Sequence, residues 1–232
     1  MEHGFNWFQI LPGFKSLPIH VAGSILVLIL IVLLALAFRL SFKKRKDHTI
    51  PSEHCTLHNI LELAYEGIMN LLQTVIGEKE GPRFFPLIGG TFIFIFLSNM
   101  LGIIPGFTPP TDNIITNLAC SVVVLLATHY YGIKEHKFGY LKHFTGPLWW
   151  LAIIFVPIEL ITHFLARPLS LTLRLYGNML GDHTVLGIFS SLVPFLVPIV
   201  FLALGVFVSF IQAFIFSMLT MLYLSGSIAH EH

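Results

Sequence analysis

Residues 21–38 read VAGSILVLILIVLLALAF, a run in which no residue carries a charge. A helix needs about 20 mostly apolar residues to cross the hydrocarbon core of a bilayer, which is about 30 Å thick. Charged residues make up only 11% of the chain, against about 25% in soluble domains. The chain therefore has too little polar surface for a water-soluble globule, and the sequence predicts an all-α integral membrane protein.

Three segments have the length and composition of ordinary transmembrane spans: 18–40, 84–104 and 114–133. Between the first and the second, the apolar residues of segment 53–78 recur every three or four positions and are interrupted by polar ones such as Glu62. This pattern predicts an amphipathic helix that lies at the membrane surface or against a partner helix rather than crossing the bilayer.

The C-terminal third of the chain is too long for two simple spans and contains several prolines. Pro194 and Pro198 flank a predicted helix break, because proline removes a backbone donor and clashes with the preceding helical turn. We predict two long tilted helices, 150–190 and 199–226, that fold as a hairpin. No soluble domain or internal repeat is visible, so residues 1–232 are predicted to form a single membrane domain.

The positive charges predict the orientation of the spans. A basic cluster follows the first span at 43–46, and further lysines follow the third between 134 and 142. Positively charged loops stay in the cytoplasm, which predicts an outside N-terminus and an inside C-terminus. A signal peptide has positive charge before its apolar run, and only Lys15 is there, so the first span is predicted to be retained. Without a transit peptide ahead of it, the expected location is a bacterial inner membrane.

Charge and cysteine usage exclude several other classes of protein. The formal net charge is only +1, which argues against a nucleic-acid partner. Cys55 and Cys120 stand far apart and in no metal-binding spacing, so we expect two packed thiols rather than a disulfide. The sequence predicts no cofactor and no metal site.

Polar residues interrupt the first of the two long helices in the stretch RPLSLTLRLYGNMLGDH, residues 167–183. At about 100° per helical residue, several of them fall within about 40° of Arg174. The predicted polar face consists of His163, Arg167, Ser170, Arg174 and Asn178, and it is flanked by Glu159 and Asp182. Arg167 also fits a membrane anchor, whose charged end reaches the interface.

Arg174 is surrounded by leucines and has no acidic residue three or four positions away. A charge at mid-membrane costs about 2.5–3.5 kcal/mol, so we infer that a function requires it and that another chain supplies its anion. A carboxylic acid brought beside a buried cation releases its proton more readily, whereas arginine does not give up its own charge. Arg174 is therefore predicted to be an electrostatic gate in proton transfer.

Three stretches closely resemble subunit a of F-type ATP synthases: the segment 167–183 quoted above, FIQAFIFSMLTMLYLS at 210–225, and FFPLIGGTFIFIFLSNMLGIIPGFTPPTDN at 84–113. The resemblance implies a non-catalytic stator subunit with no cofactor. It also implies two aqueous half-channels that lead to a rotating c-ring and are separated by an essential arginine, so that proton flow drives ATP synthesis. The implied partners are the c-ring, subunit b of the peripheral stalk and membrane lipid.

The resemblance also assigns roles to single residues. Arg174 matches the essential arginine, and Gln212 matches a glutamine near it on the last helix. Asn178 and Ser170 match polar residues of a half-channel. Asn99 matches a polar residue of the second span, and Asp112 resembles an acid at the outer mouth.

Two positions depart from the family pattern. His183 stands where bacterial members often have glutamate, and Gly205 stands where other members have histidine or glutamate. The usual charged pair across the two long helices is therefore incomplete, and we predict that Asp182 and Glu159 supply the missing acid.

Two alternatives from other functional classes remain. A secondary transporter would bind its substrate at a broken helix near the membrane midplane, although the paired repeats typical of such proteins are not visible. A structural scaffold would need no translocation residues, and the polar face around Arg174 argues against it.

Overall fold

The computed structural model describes residues 7–9, 16–44, 57–104, 106–136, 152–192 and 196–228. Every regular element in these ranges is helical, which confirms the predicted all-α fold. The α-helices are α1 (Ile19–Lys44), α2 (Leu57–Val75), α3 (Phe85–Leu101), α4 (Ile114–His136), α5 (Ala152–Ile161), α6 (Arg167–Leu192) and α7 (Leu196–Ile228). Short 3-10 turns occupy Trp7–Gln9, Gly81–Phe84 and Pro110–Asp112, and a π turn occupies Thr162–Ala166.

Within the described ranges, four helical segments are long and apolar enough to cross a membrane: Ile19–Ala37, Gly81–Leu101, Ile114–His136 and Ile199–Ile228. The chain is therefore a multi-pass membrane protein. Helix α6 has 26 residues but is not one of the four, since its polar residues lower its mean hydropathy.

Helices α3, α4, α6 and α7 pack together and bury the main apolar core. Leu171 and Leu175 of α6 lie in this core together with Val124 of α4. Helix α6 runs antiparallel to α7, because Phe189 stacks on Phe201 at one end, with ring centroids 5.0 Å apart, while Arg167 lies against Tyr223 at the other. The two helices form the predicted hairpin.

The amphipathic helix α2 docks against the C-terminal end of α7. It buries Ile68 and Leu72, and Ser225 of α7 donates a hydrogen bond to the Val75 carbonyl, with an oxygen–oxygen distance of 3.1 Å. The turn to α3 needs glycine for a steric reason, because a Cβ at Gly81 would lie 2.9 Å from the Leu72 carbonyl oxygen.

Residues 152–192 are helical throughout, but the predicted first long helix is not a regular α-helix over its whole length, and this is a correction. The π turn separates α5 from α6, and the Arg167 amide donates to the Thr162 carbonyl, five residues back. The next residue, Pro168, has no amide hydrogen, so the regular α-helical ladder cannot pass through this point. Residues 150 and 151 lie outside the described ranges.

Proline also acts differently from the prediction at the hairpin turn. Helix α7 already begins at Leu196, so Pro198 lies inside its first turn rather than before it. The first four amides of a helix have no acceptor within the helix, and proline is tolerated there for that reason. Pro194 lies outside the described ranges, as does Cys55. Cys120 is a free thiol.

Candidate functional site

Ser170, Arg174 and Asn178 lie on one exposed side of α6. They are spaced four residues apart, so each follows the last by about one helical turn. The opposite side of the helix is buried and consists of Pro168, Leu171, Thr172, Leu175 and Met179. The polar side therefore faces away from the rest of the chain, where a partner molecule or lipid would contact it.

No carboxylate in the described part of the chain lies within ion-pairing distance of Arg174. Its neighbours on the exposed side include Leu173 and Leu169, and α7 also exposes large apolar residues such as Phe207. An arginine on an apolar face of a membrane protein is costly unless an anion meets it. The arrangement fits a partner that brings a carboxylate to this face.

The predicted polar face is wrong at its N-terminal end. His163 is buried, and its Nδ1 lies 3.2 Å from Glu159 Oε2 and 3.0 Å from the Glu159 carbonyl oxygen. The π turn explains the error, because its wider turn changes the angular phase of the residues before Arg167 relative to those after it. His163 and Glu159 thus form a separate cluster, which His129 of α4 joins with a ring centroid 6.4 Å from that of His163.

Arg167 contacts α7 at the open end of the hairpin, where α6 begins, and does not extend the exposed polar side of Ser170, Arg174 and Asn178. Its guanidinium carbon lies 4.8 Å from the centroid of the Tyr223 ring, a cation–π distance. It therefore links α6 to α7.

A cavity of about 210 Å³ separates the C-terminal end of α3 from α6 and α7. This volume has room for several water molecules. Its polar or small lining residues are Asn99, Gly102, Asp182, Gly205 and Ser209, and its apolar lining includes Ile103 and Phe201. The structure thus brings Asn99 and Asp182 to one cavity, and the position of Gly205 adds to its width.

Asn99 connects this cavity to the loop between α3 and α4. Thr111 donates a hydrogen bond to Asn99 Oδ1 at 2.6 Å, and Asn117 Nδ2 donates to the Thr111 carbonyl at 2.7 Å. Asp112 follows Thr111 in the same turn and is half-buried. The Asn99 amide nitrogen is buried and has no acceptor among the described residues, which is the environment that an ordered water satisfies.

Three other predicted site residues remain, and two of them, Gln212 and Glu159, do not line this cavity. Gln212 is on α7 and only 8% exposed. Glu159 is next to His163 and is not among the residues that line the cavity, so Asp182 is the one acid beside Gly205 in the described part of the chain. His183 belongs to α6 by its backbone, and its side chain lies outside the described part.

Several buried polar residues of α4 and α6 were not predicted from the sequence. Asn117, Ser121 and Thr128 follow one side of α4, and Thr172 of α6 meets Ser121 with 2.9 Å between the hydroxyl oxygens. These three α4 residues are four and seven positions apart, a spacing that places them on one side of a helix. This polar stripe is the signal in the sequence of the third span that could have predicted them. Within the described ranges, no three His, Cys, Asp or Glu side chains cluster closely enough to hold a metal ion.

Comparison with known proteins identifies the family. The model of the ATP synthase A chain family matches residues 24–225. ATP synthase subunit a of Trichlorobacter lovleyi is 50% identical over 206 residues, which cover 89% of this chain and 85% of that protein. ATP synthase subunit a 3 of Pelobacter propionicus is 46% identical, and ATP synthase subunit a of Desulfosudis oleivorans 42% identical, with full coverage of both chains in each case. The chain therefore belongs to the ATP synthase A chain family.

Proposed function

We propose that the chain is the proton-channel stator subunit of an ATP synthase and that it has no catalytic site of its own. The observation that carries this proposal is the exposed Arg174, which has apolar neighbours and, among the described residues, no carboxylate within ion-pairing distance. Such a face suits a moving partner that presents one carboxylate after another, as a ring of c subunits would.

The chemistry follows from the fixed charge. A c-subunit carboxylic acid travels protonated through lipid and ionises when it meets Arg174, since the nearby cation favours the charged form. The arginine stays charged throughout. The ionised acid then accepts a proton from one of two aqueous half-channels, and the arginine keeps protons from passing directly between them.

The outer half-channel is the cavity lined by Asn99 and Asp182, with Asp112 near its mouth. The carboxylate of Asp182 accepts and releases protons where other family members use a side chain at position 205. The inner half-channel leads from Ser170 toward Glu159. Asn178, His183 and Gln212 supply the remaining polar groups near the arginine.

This assignment requires an outside N-terminus, an inside C-terminus and a location in the bacterial inner membrane. The basic residues at 43–46 support it. In intact cells expressing a chain with Cys55 and Cys120 replaced by serine, we expect a membrane-impermeant maleimide to label Ile104→Cys and not Lys44→Cys. Labelling of Lys44→Cys from outside would show that the chain has the opposite orientation.

Purification in mild detergent tests the proposed function against the alternative of a secondary transporter. We expect the tagged chain to co-purify with a ring of small proteolipid subunits, with subunit b and with a soluble ATPase. A chain that is isolated alone and catalyses ion transport by itself in vesicles would contradict the stator function and support the transporter.

A further inference from the structure

The apolar pattern of α6 does little to fix the rotation of the helix that carries Arg174. Residues 169–175 read LSLTLRL, with leucine at every second position. Residues two apart lie about 200° apart around a helix, so the leucines cover opposite sides. Leu173 is 52% exposed, whereas Leu171 and Leu175 are each 2% exposed. If α6 rotated by half a turn, leucines that are now exposed would replace the buried ones in the core. Leucine packing alone therefore does not determine where Arg174 points.

A pair of buried hydroxyl groups provides a directional contact between α4 and this part of α6. Ser121 Oγ of α4 lies 2.9 Å from Thr172 Oγ1 of α6, and each residue is 1% exposed. Thr172 also lies 2.7 Å from the Pro168 carbonyl oxygen of its own helix, and Ser121 lies 2.9 Å from that of Asn117. Each hydroxyl has one hydrogen to donate and two lone pairs to accept with. One hydroxyl therefore donates to the carbonyl of its own helix and accepts from the other hydroxyl, whose hydrogen joins the two helices.

We propose that the Ser121–Thr172 pair is a positioning contact that fixes the rotation of α6 and so directs Arg174 outward. Thr172 precedes Arg174 by two residues, about 200° around the helix. A bond that holds Thr172 against α4 thus points Arg174 to the opposite side. Hydrogen bonds between membrane helices favour the bonded state by about threefold on average and by up to about eighteenfold.

The consequence for proton transport rests on the proposed function, but the consequence for helix rotation does not. The first experiment uses assembled ATP synthase complexes and measures protons pumped per ATP hydrolysed, a ratio that a mere loss of complexes would not change. Thr172→Val keeps the shape of the side chain and removes the hydroxyl, so we expect the ratio to fall about threefold or more. Ser121→Ala should lower it equally, and the double variant no further, because both changes remove one shared bond.

Two variants serve as controls. Thr172→Ser keeps a hydroxyl and is expected to keep the ratio. Thr128→Val removes a buried hydroxyl from α4 that donates to Val124 of its own helix at 2.8 Å, and it should also leave the ratio unchanged. Normal ratios in both Thr172→Val and Ser121→Ala would overturn the proposal, as would an equal loss in Thr128→Val.

The second experiment measures rotation directly in the purified full-length chain, with Cys55 and Cys120 replaced by alanine. Single cysteines replace Leu173 or Leu175, and their maleimide labelling rates are compared. Thr172→Val is expected to raise the rate at 175 relative to 173 about threefold or more. An unchanged rate ratio would overturn the positioning contact even if Arg174 proves essential. Conversely, normal pumping by Arg174→Ala would overturn the proposed function and leave a shifted labelling pattern intact.

Discussion

Replacement of Arg174 with alanine is expected to abolish both ATP-driven proton pumping and ATP synthesis in a complex that still assembles. In the proposed mechanism, nothing then forces a c-subunit acid to ionise as it passes α6. The proposed barrier between the half-channels is also expected to disappear, since a proton no longer has to pass a fixed positive charge in a medium of low dielectric constant. Proton flux in reconstituted vesicles measures both effects, as lost pumping and as a passive leak.

Two further variants separate charge from side-chain identity. Arg174→Lys is expected to restore little activity, because a desolvated lysine can lose its proton and with it the charge. Arg167→Lys changes a nearby arginine that lies against Tyr223, and it should leave pumping nearly normal. An assembled Arg174→Ala complex that pumps protons at the normal rate would show that the gate mechanism is wrong.

Filling the cavity at Gly205 is expected to have the second largest effect. A Cβ at this position would be in ordinary contact with Ile103, at 3.7 and 3.8 Å, so the rest of a leucine side chain must extend into the cavity. A leucine would displace water from the proposed proton path, and an unsolvated charge costs several kcal/mol. Since each 1.4 kcal/mol is a factor of about ten, Gly205→Leu should reduce proton flux more than about tenfold.

The controls for this prediction come from the same helix. Gly205→Ala adds only the Cβ and should retain most of the flux. Gly226→Leu adds a leucine where a Cβ meets nothing within 4 Å, and it should retain flux as well. Asp182→Asn leaves the cavity open but removes its carboxylate, so its flux should fall between those of Gly205→Ala and Gly205→Leu. Normal flux in Gly205→Leu would exclude this cavity from the proton path.

The sequence predicts the helical membrane fold well because the bilayer imposes a simple rule. A run such as 21–38 has to be helical so that its backbone groups are hydrogen-bonded in lipid. Apolar residues at every third or fourth position, with polar residues between them, distinguish α2 from a transmembrane span. The π turn at Thr162–Ala166 was not predictable in this way. Its hydrogen bonds between residues five apart depend on the missing amide hydrogen of Pro168 and on packing against neighbouring helices. The spacing of apolar residues in the sequence does not encode either of these.

The candidate site also has one part that the sequence predicts and one part that it does not. Arg174 stands out in the sequence because a charge among leucines is costly in the interior of a membrane. The cavity beside Asp182 requires α3 to pack against the α6–α7 hairpin, which lies far along the chain, so no local pattern indicates it. Glu159 illustrates the difference, since it was expected to replace the acid missing near Gly205 but lies beside His163, on the far side of the π turn.

The hydrogen bond from Ser225 to Val75 has a consequence for biosynthesis. The two residues are 150 positions apart, and a ribosome adds about 5–20 residues per second. Helix α2 therefore leaves the ribosome roughly 8–30 s before its partner on α7 exists. An amphipathic helix can wait at the membrane interface with its apolar side in the lipid headgroups. The docking of α2 would then be a late folding step, which completes this end of the helix bundle only after the last helix has been inserted.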